Sequence, residues 1–297
     1  MSPFGSRFLG NCLVAYAPAK VNLTLRVTGR RADGYHELRS LVVTIDLVDT
    51  LVLSPGSAGT IDLRVNVPEL NRDDNLVVTA LRMVAQRLSP DRSDAGVRVY
   101  LHKRIPHGAG LGGGSSDGSC ALRAGRDWFA VRMNDGELYE LSAQLGSDCP
   151  FFVERRKAAL LMGRGERLMP VRLDTRLDFV IVWPRVPVST AEVFRRCQPV
   201  KSEETTEERL LALLNDGVRD LRLQSLLKND LLDPAVSLCP AIGEALDALR
   251  GMGIPATMSG SGSAVVGIAQ DRESAVAIAR RLRQQLPHFV TVARSLE

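Results

Sequence analysis

Hydrophobic and polar residues alternate over residues 14–29, where Val21, Leu23, Leu25 and Val27 are set against Lys20, Asn22, Thr24 and Arg26. This is the period of a half-buried strand. Asp33-Gly34 is a hairpin signal, and residues 38–55 predict the returning strand and its neighbour. Helices are predicted over 75–88 and 135–145, the second stopped by Gly146. Between them come a strand at 97–101, a glycine-rich loop and a helix-like run over 120–130. Residues 158–163 and 166–171 read as a strand pair that turns at Gly163-Arg164-Gly165. Then follow a short buried strand from Asp178, a charged loop from Lys201 leading into a helix, and a helix over 241–250 ended by Gly251. A small-residue loop feeds a strand at 264–268, and a last helix covers 273–285. Strands in both halves, interrupted by helices, predict an α+β protein.

The length, 297 residues, exceeds one typical domain and predicts two. The net charge of +4 is modest, and charges of both signs are interspersed. This gives no ground for a nucleic-acid or membrane partner. Locally basic sites, Lys103-Arg104 and the arginines near 30 and 195, would suit phosphate groups of a small substrate. The five cysteines form no C-x-x-C pair, which points to a reducing compartment and away from a zinc site. No hydrophobic stretch is long enough to span a bilayer, and the first ten residues lack the apolar core of a signal peptide. A cytoplasmic protein is therefore expected.

The chemistry concentrates in KRIPHGAGLGGGSSDG, residues 103–118. Glycines at 108, 110, 112, 113 and 114 let a ligand approach the backbone, and Ser115, Ser116 and Asp117 lead into a helix. Such a loop gathers unpaired N–H groups at the positive end of a helix dipole, a site for polyphosphate. It is not a Walker A loop, because no lysine follows the glycines. Gly108, Gly110 and Gly113 satisfy G-x-G-x-x-G, but the loop does not follow its strand directly as a dinucleotide fingerprint requires. Three further segments carry candidates. Lys20 and Asn22, two apart on a strand, project to one face about 7 Å apart. Asp148 lies in LGSDCPFF, between a helix and an expected strand. Residues 258–268, MSGSGSAVVGI, keep side chains away from whatever approaches that turn.

APAKVNLTL near the start, P-x-G-x-G-L-G followed by Ser-Ser in the middle, and the 258–268 loop resemble, in order, the three signatures of the GHMP kinases. That family takes its name from galactokinase, homoserine kinase, mevalonate kinase and phosphomevalonate kinase. The resemblance covers nearly the whole chain. It implies a two-domain fold, here 1–168 and 169–297: an N-terminal nucleotide domain shared with ribosomal proteins, and a C-terminal ferredoxin-like α/β domain. The active site is expected in the cleft between them. The implied activity is ATP-dependent phosphorylation of a small molecule, with Mg2+ and with Lys20 and Asp148 as catalytic residues.

RADGYHELRSL, DNLVVTA and GSDCPFF further resemble a branch whose substrate carries a cytidine diphosphate group. For the nucleotide, the resemblance implies Asn75, Leu76, Lys103, Pro106, His107, Gly108, Ala109, Gly110, Leu111, Gly112, Gly113, Gly114, Ser115 and Ser116. For the substrate it implies Asn22, Tyr35, His36, Thr190, Phe194 and Gly260, with Tyr35, His36 and Phe194 holding the cytosine. The chain is expected to be a monomer or weak homodimer. Homoserine or mevalonate kinase chemistry is the alternative, but a substrate without a base has no use for Tyr35-His36. A non-catalytic nucleotide- or RNA-binding protein would lack a reason to keep both Lys20 and Asp148. A dehydrogenase rests on the G-x-G-x-x-G match alone.

Overall fold

The computed structural model describes residues 4–89, 95–199 and 206–296, so the charged loop expected at 201–205 lies outside the described residues. Residue contacts sort the chain into two compact units, neither of them one continuous segment. The first comprises 1–19, 47–105 and 112–156; the second comprises 20–46, 106–111 and 157–297. The division at 168 follows order along the chain, whereas contacts divide it otherwise, because two long strands each belong to both units.

Those strands are β2 (Cys12–Asn22) and β4 (His36–Pro55). In the first unit, β2 pairs antiparallel with β1 (Ser6–Leu9). The distal part of β4 pairs antiparallel with β6 (Val97–His102), and β5 (Ile61–Val65) adds parallel to β6. β6 alternates buried and exposed residues throughout, as a strand with one wet face does. Its inward Val97, Val99 and Leu101, with Leu51 and Leu53 of β4, pack on Val77, Ala80, Leu81 and Val84 of α1 (Leu76–Ala85). α2 (Gly113–Trp128) completes this core with Cys120, Ala121, Leu122 and Ala124. A Cβ on Gly118 would lie 2.8 Å from Leu145 and 3.1 Å from Leu76, so glycine sets the close approach of α1 and α2. α3 (Asp135–Leu145) starts in a capping box of Asn134 and Glu137 and ends before Gly146, as the pattern predicts.

In the second unit, β3 (Arg26–Arg30) pairs with the proximal part of β4 across the Asp33-Gly34 turn. β7 (Ala158–Gly163) pairs with β4 and with β8 (Arg167–Pro170). A separate antiparallel sheet runs β10-β11-β9-β12, made of Ala256–Met258, Val265–Ala269, Asp178–Trp183 and Phe289–Arg294. α5 is Thr190–Arg196, α6 Thr206–Asn215, α7 Leu232–Leu238, α8 Ala241–Arg250 and α9 Arg272–Gln285. α8 buries Ile242, Ala245, Leu246 and Leu249, the i, i+3, i+4, i+7 stripe of a helix on a sheet.

Several expectations change. The alternation over 14–29 is not one strand: β2 stops at Asn22 and β3 begins at Arg26. Its polar face is not wet either, since Lys20, Asn22, Thr24 and Arg26 are all buried. Residues 38–55, expected as two strands, lie within one 20-residue strand. The segment after Asp148 is the short helix α4 (Cys149–Val153) rather than a strand, because Pro150 at its first turn favours helix initiation.

Candidate active site

In the first unit, α2 starts inside the glycine-rich segment, so Gly113, Gly114, Ser115 and Ser116 form a helical turn rather than a loop. Its N-cap Gly112 is left-handed, with φ 70°, and offers no capping side chain. The first intrahelical bond runs from Ser116 N–H to Gly112 O at 2.9 Å. The N–H groups of Gly113, Gly114 and Ser115 precede that ladder. A Cβ on Gly114 would meet nothing within 4 Å, so the space over this helix end is open. Ser116 Oγ is buried and has no hydrogen-bond partner among the described residues. Free N–H groups, the positive helix end and a spare hydroxyl fit a polyphosphate.

Lys103 is buried beneath this turn. Its Nζ donates to Asp49 Oδ2 and to Asp117 Oδ2, each at 2.5 Å. Burial works against the Lys103 charge, but the Asp117 and Asp49 carboxylates outweigh it and raise its pKa. Burial pushes the Asp117 carboxyl up to about 8, with Lys103 pulling the other way and Asp49 adding to the rise. Asp117 Oδ1 has no partner among the described residues. The ammonium expected to face a nucleotide is thus already held by two carboxylates.

Asn75 caps α1: its Oδ1 accepts from Val77 N–H at 2.9 Å and its Nδ2 donates to Leu70 O at 2.9 Å. Leu76 follows as the first helical residue. Asp148 is the N-cap residue of α4, yet its side chain makes no capping bond there. α2 secures α4: Ser119 Oγ donates to Cys149 O at 2.9 Å and the buried Arg123 guanidinium to Phe152 O at 2.8 Å.

In the second unit, residues 106–111 lie along the turn after β10. Ala264 N–H donates to Ala109 O at 3.0 Å, and Ser259 Oγ donates to Gly110 O at 3.0 Å. Gly110 has φ 76°, and a Cβ there would sit 2.0 Å from Ser259 O. Its glycine is therefore demanded by packing as much as by any ligand. Gly108, also left-handed, lies against Pro187, where a Cβ would come within 2.6 Å. Lys20 N–H donates to Leu111 O at 2.9 Å, and Lys20 Nζ donates to Asn22 Oδ1. Asn22 Nδ2 donates to Ser40 Oγ at 2.7 Å and Asn22 N–H to Ser259 Oγ at 3.2 Å. Lys20 and Asn22 do share a face, and a neutral hydrogen-bonded network orients both.

His36 and Phe194 bring their rings to 5.3 Å, tilted by 31°. Tyr35 is 53% exposed, with the Arg164 guanidinium 5.2 Å from its ring centre. The Asp33 carboxylate accepts from Tyr35 N–H at 3.1 Å and fixes the turn that presents these rings. Burial, with help from Arg30, lowers the His36 pKa and so favours the neutral imidazole. Thr190 Oγ1 and Ser261 Oγ hydrogen-bond at 2.8 Å, beside Gly260 in the same turn. His107 meets Trp183 edge-on at 5.9 Å. Pro106 begins the segment.

Residues 75–155 match the GHMP kinases N terminal domain, and residues 207–288 match GHMP kinases C terminal. A 4-diphosphocytidyl-2-C-methyl-D-erythritol kinase of Rhodopirellula baltica is 36% identical, covering 91% of both chains. One of Chromohalobacter salexigens is 37% identical over 90% of this chain and 86% of its own. A crystal structure of 4-(cytidine 5'-diphospho)-2C-methyl-D-erythritol kinase superposes with a TM-score of 0.79 at 34% identity, covering 94% of this chain and 98% of that one. The chain belongs to the GHMP kinase family.

As a GHMP kinase the chain has the α+β fold its signatures imply. Three supporting residues escaped the sequence reading. Asp49 had a visible signal: it stands in phase with the buried Leu47, Leu51 and Leu53 of β4, where an apolar residue belongs. Asn229 Nδ2 donates to Met258 O at 2.7 Å and to Gly260 O at 2.8 Å, which shapes the turn of the third signature. Nothing local marks Asn229, because its partners are about thirty residues away. Ser259 stood inside a recognised motif, but its bonds to Asn22 and Gly110 are visible only in the fold.

Proposed function

We propose that this GHMP kinase transfers the γ-phosphoryl group of ATP to the 2-hydroxyl of 4-diphosphocytidyl-2-C-methyl-D-erythritol, giving the 2-phosphate and ADP. Curated relatives of that name, matched along nearly the whole chain, support the reaction. The observation that carries the choice of substrate is the His36–Phe194 ring pair beside Tyr35. These rings offer π-faces to a pyrimidine, and a neutral imidazole can hydrogen-bond its edge. Homoserine and mevalonate have no such ring to receive.

Phosphoryl transfer asks a protein for positioning and charge stabilisation more than for covalent help. The N–H groups at the start of α2 are assigned to the ATP phosphates, with Ser115 and Ser116 beside them. Asn75, Leu76 and Lys103 are assigned to the nucleoside side. Asp148 is assigned to the acceptor hydroxyl, as the base or as the group that orients it. Lys20, oriented by Asn22, stabilises the negative charge that develops in transfer. Thr190 and Gly260 line the polar part of the substrate.

Among the described residues no group of three or more His, Cys, Asp or Glu side chains could hold a metal. Mg2+ would be carried on the phosphate oxygens, with Ser115 and Ser116 as the candidate hydroxyls beside it. Bound there, it would neutralise phosphate charge. The test is ADP release with ATP and Mg2+ against a panel of the cytidine substrate, homoserine and mevalonate. Turnover confined to the first is expected; turnover of another in its place overturns the reading.

A further inference from the structure

Asp49 has no solvent exposure and sits among leucines on the inward phase of β4. A carboxylate in such a place is tolerated only when fully paired. Its pairing has one direction. Oδ1 accepts from the backbone N–H of Arg104 at 2.5 Å and of Ile105 at 2.8 Å. Oδ2 accepts from Lys103 Nζ, which also donates to Asp117 on α2. Arg104 and Ile105 are the last residues before the 106–112 loop, and Asp117 lies one turn beyond it. Both ends of the loop are therefore tied to one carboxylate. Gly113 tightens the arrangement, since a Cβ there would lie 3.0 Å from Ile105 Cγ2 and 3.2 Å from Lys103 Nζ.

We propose that Asp49 is a positioning residue for ATP. By holding Arg104 and Ile105 directly and Asp117 through Lys103, it sets the direction in which the first N–H groups of α2 point. Such groups stabilise charge only because they are fixed before the ligand arrives. The proposal rests on the reading of α2 as the phosphate site.

Asp49→Asn and Asp117→Leu break the ammonium bridge at opposite ends, and Asn at 49 keeps an oxygen for the Arg104 and Ile105 N–H groups. Affinity for a non-hydrolysable ATP analogue is measured by calorimetry, with KM for both substrates, on variants whose circular dichroism matches wild type. Each variant should weaken the analogue about ten- to hundred-fold, leave KM for the cytidine substrate within about two-fold, and the double variant should lose no more than the weaker single. Wild-type affinity in either variant, additive losses, or equal rises in both KM values would overturn the proposal. Asp117→Leu carries the test should Asp49→Asn not fold. If the wild-type protein binds no analogue, the phosphate reading itself fails; if it binds and the variants bind equally, only the role of Asp49 does.

Discussion

Around Lys103 the chain gathers ionisable groups in a dry interior, whereas around His36 it gathers rings, with the ion pairs of Arg31 with Asp33 and Glu37 open to solvent. In the first unit one ammonium and two carboxylates, with side chains 5%, 0% and 4% exposed, underlie a helix end with free N–H groups. In the second, Ser40, Ser259, Thr190 and Asn229 hold their neighbours by uncharged hydrogen bonds, and Asn22 also accepts from the Lys20 ammonium. The ligands proposed for each explain the contrast. A polyphosphate carries several charges and needs donors that do not reorganise. A pyrimidine is neutral, and is chosen by stacking and by hydrogen bonds that a wrong ring would leave unmade. Charge supplies strength on one side, and shape supplies choice on the other.

The comparison can be broken most sharply at the two residues proposed for catalysis. Asp148→Asn should lower single-turnover transfer by about 10²–10⁴. Lys20→Met should lower it by about 10²–10³ with ATP still bound. Near wild-type turnover in either would remove that residue from the mechanism. Stability comes next. Asp49→Ala takes one of two partners from the buried Lys103 ammonium, leaves the Arg104 and Ile105 N–H groups without their acceptor, and should cost about 3–5 kcal/mol in urea unfolding. Asn229→Ala, which leaves two neutral carbonyls unpaired, should cost about 1–3 kcal/mol. Equal losses would mean that the charged and neutral regions are not held differently.

Tyr35→Ala removes a stacked contact of about 1–3 kcal/mol and should raise KM for the cytidine substrate about ten-fold. KM for ATP should not move; a matching rise would sink the division of labour between the units. The smallest effect is one of pH. Asp117 binds its proton more tightly folded than unfolded, so its contribution to stability is complete below the ordinary carboxylate range and lost as pH rises through about 8. Thermal unfolding of Asp117→Asn across this interval should show a flatter pH dependence than wild type. An unchanged slope would place the titration elsewhere.

Much of the candidate site was legible because its residues sit in local patterns. The Asp33-Gly34 turn presents Tyr35 and His36, and the glycines of 108–114 announced a ligand-facing backbone. Local patterns also misled. Pro150 marked a helix start that apolar Phe151 and Phe152 disguised as a strand. Gly110 read as a ligand-facing glycine, yet its missing Cβ makes room for Ser259 O.

By itself the sequence determined the α+β class and the family, and it marked most of the helices and turns and the segments proposed to carry chemistry. Each of these is written in spacing, in capping residues or in glycine content, and so within a few residues. Only the tertiary structure decided that Lys20 lies buried beside Asn22, that β4 runs unbroken, and that Lys103 is shared by Asp49 and Asp117. The last of these depends on groups 14 and 54 positions apart along the chain. A buried charge is stable only where the fold brings its partner, and no local pattern records which partner that will be.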